Sequence, residues 1–202
     1  MSKPDSSTEG AGRGVDRRVF ISAVAAAVGG AVIWRYSKPH RVEAKATPAP
    51  TPKMVTIVEF SGAGVRLSVV RVPKVAKRDG DWRKQLGENA FNITRKGDTE
   101  IAFTGKYWNL REQGLYRCIC CGTALYSSKA KFNSGTGWPS FWAPIAKENI
   151  EQLNDPSFGM DRTAISCRRC DAHLGHVFDD GPPPTGLRYC MNSAALRFVK
   201  FA

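Results

Sequence analysis

Apolar positions along this chain follow the two-residue period of strands in many places and a helical period in few. Residues 55–60 and 65–72 are rich in β-branched side chains with partial alternation, and Ser61-Gly62-Ala63-Gly64 between them predicts a hairpin. Asp79-Gly80-Asp81-Trp82 predicts the start of a short helix, with Asp81 as N-cap and Trp82 and Leu86 on the apolar side. Beyond Ile101 the chain is punctuated by Gly and Pro, with strand-like runs at 114–117, 164–167, 176–178 and 195–201. The pattern predicts a mainly β domain, either a small barrel or a pair of curved sheets, preceded by that short helix.

The first stretch differs. Residues 19–34 carry no charge, follow Arg17-Arg18, and lead toward Ala44-Lys45-Ala46. Sixteen helical residues reach about 24 Å, short of the roughly 30 Å hydrocarbon core. A basic start, a short apolar core and small residues match an export signal over 1–46, and Arg17-Arg18-Val19-Phe20-Ile21 resembles a twin-arginine signal. The alternative is a membrane anchor kept in the mature protein, the one case in which a membrane is a partner. The expected location is therefore exported: periplasmic, or anchored and facing the periplasm. Residues 47–54 then read as a stiff Pro-rich linker, 55–76 as a hairpin extension and 77–202 as the main domain.

With 42% hydrophobic and 24% charged residues, the 202-residue chain is neither disordered nor collagen-like. Lys+Arg 30 against Asp+Glu 18 gives +12, and residues 1–46 hold eight of the basic and four of the acidic residues, leaving +8 elsewhere. That remainder is scattered in short pairs such as Lys77-Arg78 and Arg168-Arg169, with no basic stripe interleaved with aromatics. Nucleic acid is not an expected partner.

Two turns concentrate thiols: Cys118-Ile119-Cys120-Cys121 and Cys167-Arg168-Arg169-Cys170. Two pairs spaced in this way suit a tetrahedral zinc, which as a four-cysteine site would be closed and structural. Two disulfides and a redox-active Cys-x-x-Cys are the alternatives, the first strengthened by export. Cys120 reads as a spare thiol inside the first turn. Toward the carboxy terminus, His173-Leu174-Gly175-His176 precedes Arg188-Tyr189-Cys190-Met191-Asn192, which holds the one cysteine outside both turns. A lone cysteine near His, Asn and Asp is a nucleophile candidate, because donors and positive charge convert a thiol into thiolate. The Gly-rich segment 134–142 adds Trp138 and Trp142, rings suited to wall a small apolar pocket.

Together these stretches, with Trp82, Gly105-Lys106-Tyr107 and the Arg188–Ala195 tail, closely resemble the B-type methionine sulfoxide reductases, from about Lys77 to Phe198. The resemblance implies a fold of two antiparallel sheets with one structural zinc held by Cys118, Cys121, Cys167 and Cys170. It implies that Cys190 is the nucleophile, that His176 and Asn192 orient and protonate, and that His173 and Asp180 are secondary candidates. Trp138 is implied to pack the substrate S-methyl, with Phe141 beside it, and Arg188 to support the thiolate or its turn. The implied substrates are oxidised proteins or peptides carrying methionine-R-sulfoxide, and a thioredoxin-like or small thiol is the expected reductant. The sequence departs from many members in one respect: Thr136 stands where they carry a resolving cysteine, so direct reduction of Cys190 by an external thiol is expected. A zinc-knuckle module binding single-stranded nucleic acid is the competing reading, and it has no use for Cys190 beside His176 and Asn192.

Overall fold

The computed structural model describes residues 52–156 and 162–201. The segment 1–46, read as signal or anchor, and most of the 47–54 linker lie outside the described residues. No helix among the described residues is long and apolar enough to cross a membrane.

The hairpin forms as expected: β1 (Met54–Phe60) pairs antiparallel with β2 (Arg66–Pro73) as a separate two-stranded sheet. Buried Asn149 docks it. Its Oδ1 accepts from Val58 N at 2.7 Å, and its Nδ2 donates to Val58 O at 2.9 Å and Ala124 O at 2.8 Å.

Helix α1 (Asp79–Leu86) begins two residues earlier than its predicted cap. Asp81 is not the N-cap. It lies in the first turn, where its carboxylate suits the positive helix end and accepts from Arg78 Nε at 3.1 Å. Trp82 is buried, and the guanidinium of Arg95 lies over its ring at 5.1 Å. Helix α2 (Glu88–Phe91) and a π-helical turn (Asn92–Lys96) complete the helical segment.

The remaining strands are β3 (Gly114–Cys118), β4 (Ala124–Ser127), β5 (Lys131–Phe132), β6 (Ser140–Phe141), β7 (Ile150–Asp155), β8 (Arg162–Cys167), β9 (His173–Phe178), β10 (Arg188–Met191) and β11 (Leu196–Lys200). They form a three-stranded sheet ordered β11-β3-β4 and a six-stranded sheet ordered β5-β6-β10-β9-β8-β7. All pairings are antiparallel. The mainly β expectation holds, but both ladders end in open edges among the described residues, so hydrogen bonds close no barrel.

Aromatic rings fill the core. Phe141 stacks on Tyr126 with centroids 4.5 Å apart and meets Tyr116 edge-on at 4.9 Å. Gly175 sets the approach of β9 to β10. At φ 152° a Cβ there would lie 2.1 Å from the Cys190 carbonyl oxygen, inside van der Waals contact with main chain that cannot yield. Gly175→Ala is therefore expected to lower stability by about 3 kcal/mol, measured by urea unfolding, because strain and overpacking coincide.

Candidate active site and metal centre

Strand β10 lies between β9 and β6, and the register sets Cys190 directly opposite both His176 and Ser140. Residues opposite one another in antiparallel strands project to the same face, so these three side chains share one face of the sheet. The neighbouring pairs Tyr189–Val177 and Tyr189–Phe141 point to the other. Phe141 is thus no wall for a substrate: it is fully buried in the aromatic core, on the face away from Cys190.

Cys190 is half-buried and surrounded by hydroxyls. Its Sγ lies 3.9 Å from Thr136 Oγ1, which is 2.8 Å from Ser134 Oγ, itself 2.8 Å from Ser140 Oγ. Burial pushes the Cys190 thiol up, while the positive charge of Arg188 and hydrogen bonds from Thr136, Arg188 and Ser140 act the other way. Two residues along β10, Arg188 is pinned by Asp180, with Nε at 2.8 Å from Oδ1 and Nη2 at 2.9 Å from Oδ2, over the ring of Phe178 at 4.3 Å. Asp180 is thus placed against Arg188, two residues before Cys190.

The imidazoles are brought together by a bulge. Ile165 pairs with Gly175 but Ser166 pairs with His173, so Leu174 is an extra residue. In a regular strand, residues three apart face opposite ways; the bulge restores both histidines to one side, with ring centroids 5.2 Å apart. His176 Nε2 lies 2.7 Å from Asp155 Oδ2, and Arg162 Nη2 lies 3.4 Å from the same oxygen. Ala164 stands opposite His176 on the intervening strand β8, and its small side chain leaves room for the carboxylate to reach across. Nothing in the sequence singled out Asp155. His173 Nε2 has no hydrogen-bond partner.

Trp138 and Asn192 meet through residue 100. Glu100 O accepts from Trp138 Nε1 at 3.0 Å, Glu100 N donates to Asn192 Oδ1 at 3.0 Å, and its carboxylate accepts from Ser193 N at 2.5 Å and Ala194 N at 3.1 Å. Asn192 is buried, and Nδ2 donates to Leu174 O at 3.2 Å. These bonds to main chain give it a positioning role between β9 and the residue-100 segment.

The four predicted ligand cysteines converge. Sγ atoms of Cys118, Cys121, Cys167 and Cys170 lie within 4.8 Å of one another, with Cys118–Cys170 at 3.6 Å and Cys121–Cys167 at 3.5 Å. A tetrahedral ion with bonds of about 2.3 Å spaces its sulfurs about 3.8 Å apart, so the donors fit one divalent ion. All six cysteines are free, with the cluster sulfurs spaced for an ion and not for two disulfides. Hydrogen bonds from Cys118, Cys167 and Cys170 hold the Cys121 sulfur far below the usual thiol range. Cys120 is buried among them, with its carbonyl accepting from Gln85 Nε2 at 2.8 Å.

Residues 86–200 match the model of the SelR domain, and the chain belongs to that family. Its relatives include proteins named peptide methionine sulfoxide reductase MsrB. The one from Synechococcus sp. strain RCC307 is 58% identical over 124 residues, covering 61% of this chain and 91% of that protein. Those from Hahella chejuensis and Pseudomonas aeruginosa PAO1 are 57% and 54% identical, covering 62% of this chain and 90% and 96% of theirs.

One consequence is measurable without substrate. Burial, with His176 alongside, pulls the His173 pKa down from 6.5 to about 4. Between those values the unfolded chain takes up a proton that the folded chain refuses, so stability falls as pH drops from about 6.5 toward 4. His173→Gln is expected to remove about 2–3 kcal/mol of the difference in unfolding free energy between pH 7 and 4.5, read by urea titration.

Proposed function

We propose that this chain reduces methionine-R-sulfoxide, free or within peptides and oxidised proteins, to methionine, and so repairs oxidised protein. The observation that carries the reading is the setting of Cys190: a half-buried thiol opposite His176, beside Thr136 and Arg188, next to the Gly137-Trp138 loop. Its thiolate attacks the electrophilic sulfoxide sulfur, and the S–O bond breaks as the oxygen moves to the cysteine. His176, with Nε2 held by Asp155, supplies a proton to that oxygen. The products are methionine, reduced by two electrons, and Cys190 as sulfenic acid. The Ser134–Thr136–Ser140 hydroxyls supply donors to the anionic sulfur and then to the sulfenic oxygen. Trp138 offers the ring for the S-methyl group.

Recycling is proposed to use an external reductant, a thioredoxin-like dithiol or two small thiols, releasing water and a disulfide. Thr136 supports this, since a hydroxyl cannot resolve a sulfenic acid, and Cys120 is buried beside the other sulfur cluster, against Cys118 and Cys170. That cluster is proposed to hold one zinc, with four thiolates closing its coordination so that it ties the fold and takes no part in the reaction. Residues 1–46 are proposed to export the protein or anchor it at a membrane.

The test uses the full chain, dithiothreitol and each epimer of N-acetyl-methionine sulfoxide. The R epimer is consumed and the S epimer is not, and Cys190→Ser lowers turnover at least about a thousandfold. With substrate and no reductant, intact mass gains one oxygen; a Cys120–Cys190 disulfide instead rejects the external-thiol route.

For the metal, Cys167→Ser is expected to release zinc, measured by elemental analysis, and to lower Tm by about 10 °C or more, because binding energy here is folding energy. An unchanged Tm in a metal-free variant rejects the structural ion.

A further inference from the structure

Beside the Trp138 loop the chain exposes two large apolar side chains. Ile101 is 77% exposed and Phe103 55%. Phe103 also sits at φ 68°, a left-handed conformation that costs a non-glycine residue about 1 kcal/mol or more and persists only where surroundings enforce it. Three contacts enforce it. Phe103 N donates to Gly137 O at 2.8 Å, Thr104 Oγ1 donates to Ile101 O at 2.7 Å, and the Phe103 ring meets Trp108 edge-on at 5.3 Å. A Cβ on Gly137, itself at φ 87°, would lie 2.7 Å from Phe103 N, so the two segments lie against each other with no room for a side chain.

The residues flanking Gly137 belong to the site. Thr136 reaches the Cys190 sulfur, and Trp138 is bonded to Glu100, one residue before Ile101. The exposed rim is therefore held against the same loop that reaches Cys190, with the Phe103 ring beside Gly137.

We propose that Ile101 and Phe103 form a docking rim for an apolar side chain one or two residues from the oxidised methionine of an extended polypeptide. The inference rests on the function proposed above and adds a substrate preference to it. A strand advances about 3.3 Å per residue, so a side chain one or two positions from a sulfoxide held at Trp138 stays near the Trp138 loop, against which Phe103 is packed. Methionines are mostly buried among other apolar residues. A segment bearing an oxidised one becomes available when it leaves the core, with its apolar neighbours uncovered. The rim matches that chemistry and disfavours charged neighbours.

The experiment compares kcat/KM of the full chain on two peptides with a central methionine-R-sulfoxide, one flanked by Leu and one by Asp, and on N-acetyl-methionine-R-sulfoxide. The wild type is expected to favour the Leu-flanked peptide about tenfold over the Asp-flanked one, mostly through KM, as burial of one large apolar side chain allows. Phe103→Asn, chosen because Asn tolerates positive φ, and Ile101→Ser, at a site too exposed to disturb the fold, should each pull that ratio toward one. A merely structural role for either residue would depress all three substrates in parallel and leave the ratio intact, which overturns the rim. So does a wild type indifferent to flanking residues. Turnover of the acylated amino acid with no peptide preference defeats the rim alone; no turnover of any sulfoxide defeats the function reading and the rim with it.

Discussion

The four-sulfur cluster is the constraint on which the rest of the structure depends. Cys118 and Cys121 close the turn from β3 to β4, and Cys167 and Cys170 close the turn from β8 to β9. These turns belong to different sheets, 46 residues apart along the chain at their closest pair of cysteines. With few helices and several strands of only two to five residues, the domain has little local structure to hold its sheets in register. An ion bound by all four thiolates would supply that hold as one strong, directional joint. Such an ion would also concentrate much of the fold's stability at a point sensitive to chelation and oxidation.

From that joint, β9 carries the register to the chemistry. It leaves Cys170, bulges at Leu174, and presents His173 and His176 on the face where β10 presents Cys190. Phe141 and Cys190 lie on adjacent strands and differ in surroundings because the pleat sends one into the core and the other to the face that carries His176. The Asp155 carboxylate obeys the same geometry, reaching His176 across Ala164.

What the sequence made legible was whatever carries a dense local signal. The two Cys-x-x-Cys turns, the lone Cys190 with its histidines, and the β-branched hairpin all occupy a few consecutive residues. The short strands β5 and β6 were not legible, because two residues have no periodicity. Phe141 was misplaced for a related reason: in a Gly- and Pro-rich stretch, alternation is too brief to say which face a ring takes. Asp155 ends a polar strand and looks like any surface acid; its contact with His176 exists only once three strands are aligned. Glu100 is similar, since it joins Trp138 to Asn192 from a distance of 38 and 92 positions.

The hairpin is attached to the domain in a way that constrains its loss. It precedes the matched SelR region, residues 86–200, yet both polar groups of buried Val58 are satisfied by one amide, Asn149, lying inside that region. Were the ribbon deleted, the amide would keep only its bond to Ala124 and would face an uncovered apolar surface with spare hydrogen-bonding capacity. Gain or removal of this appendage during divergence should therefore be coupled to exchange at a single interior position, which makes residue 149 a marker for whether a homologue carries the ribbon.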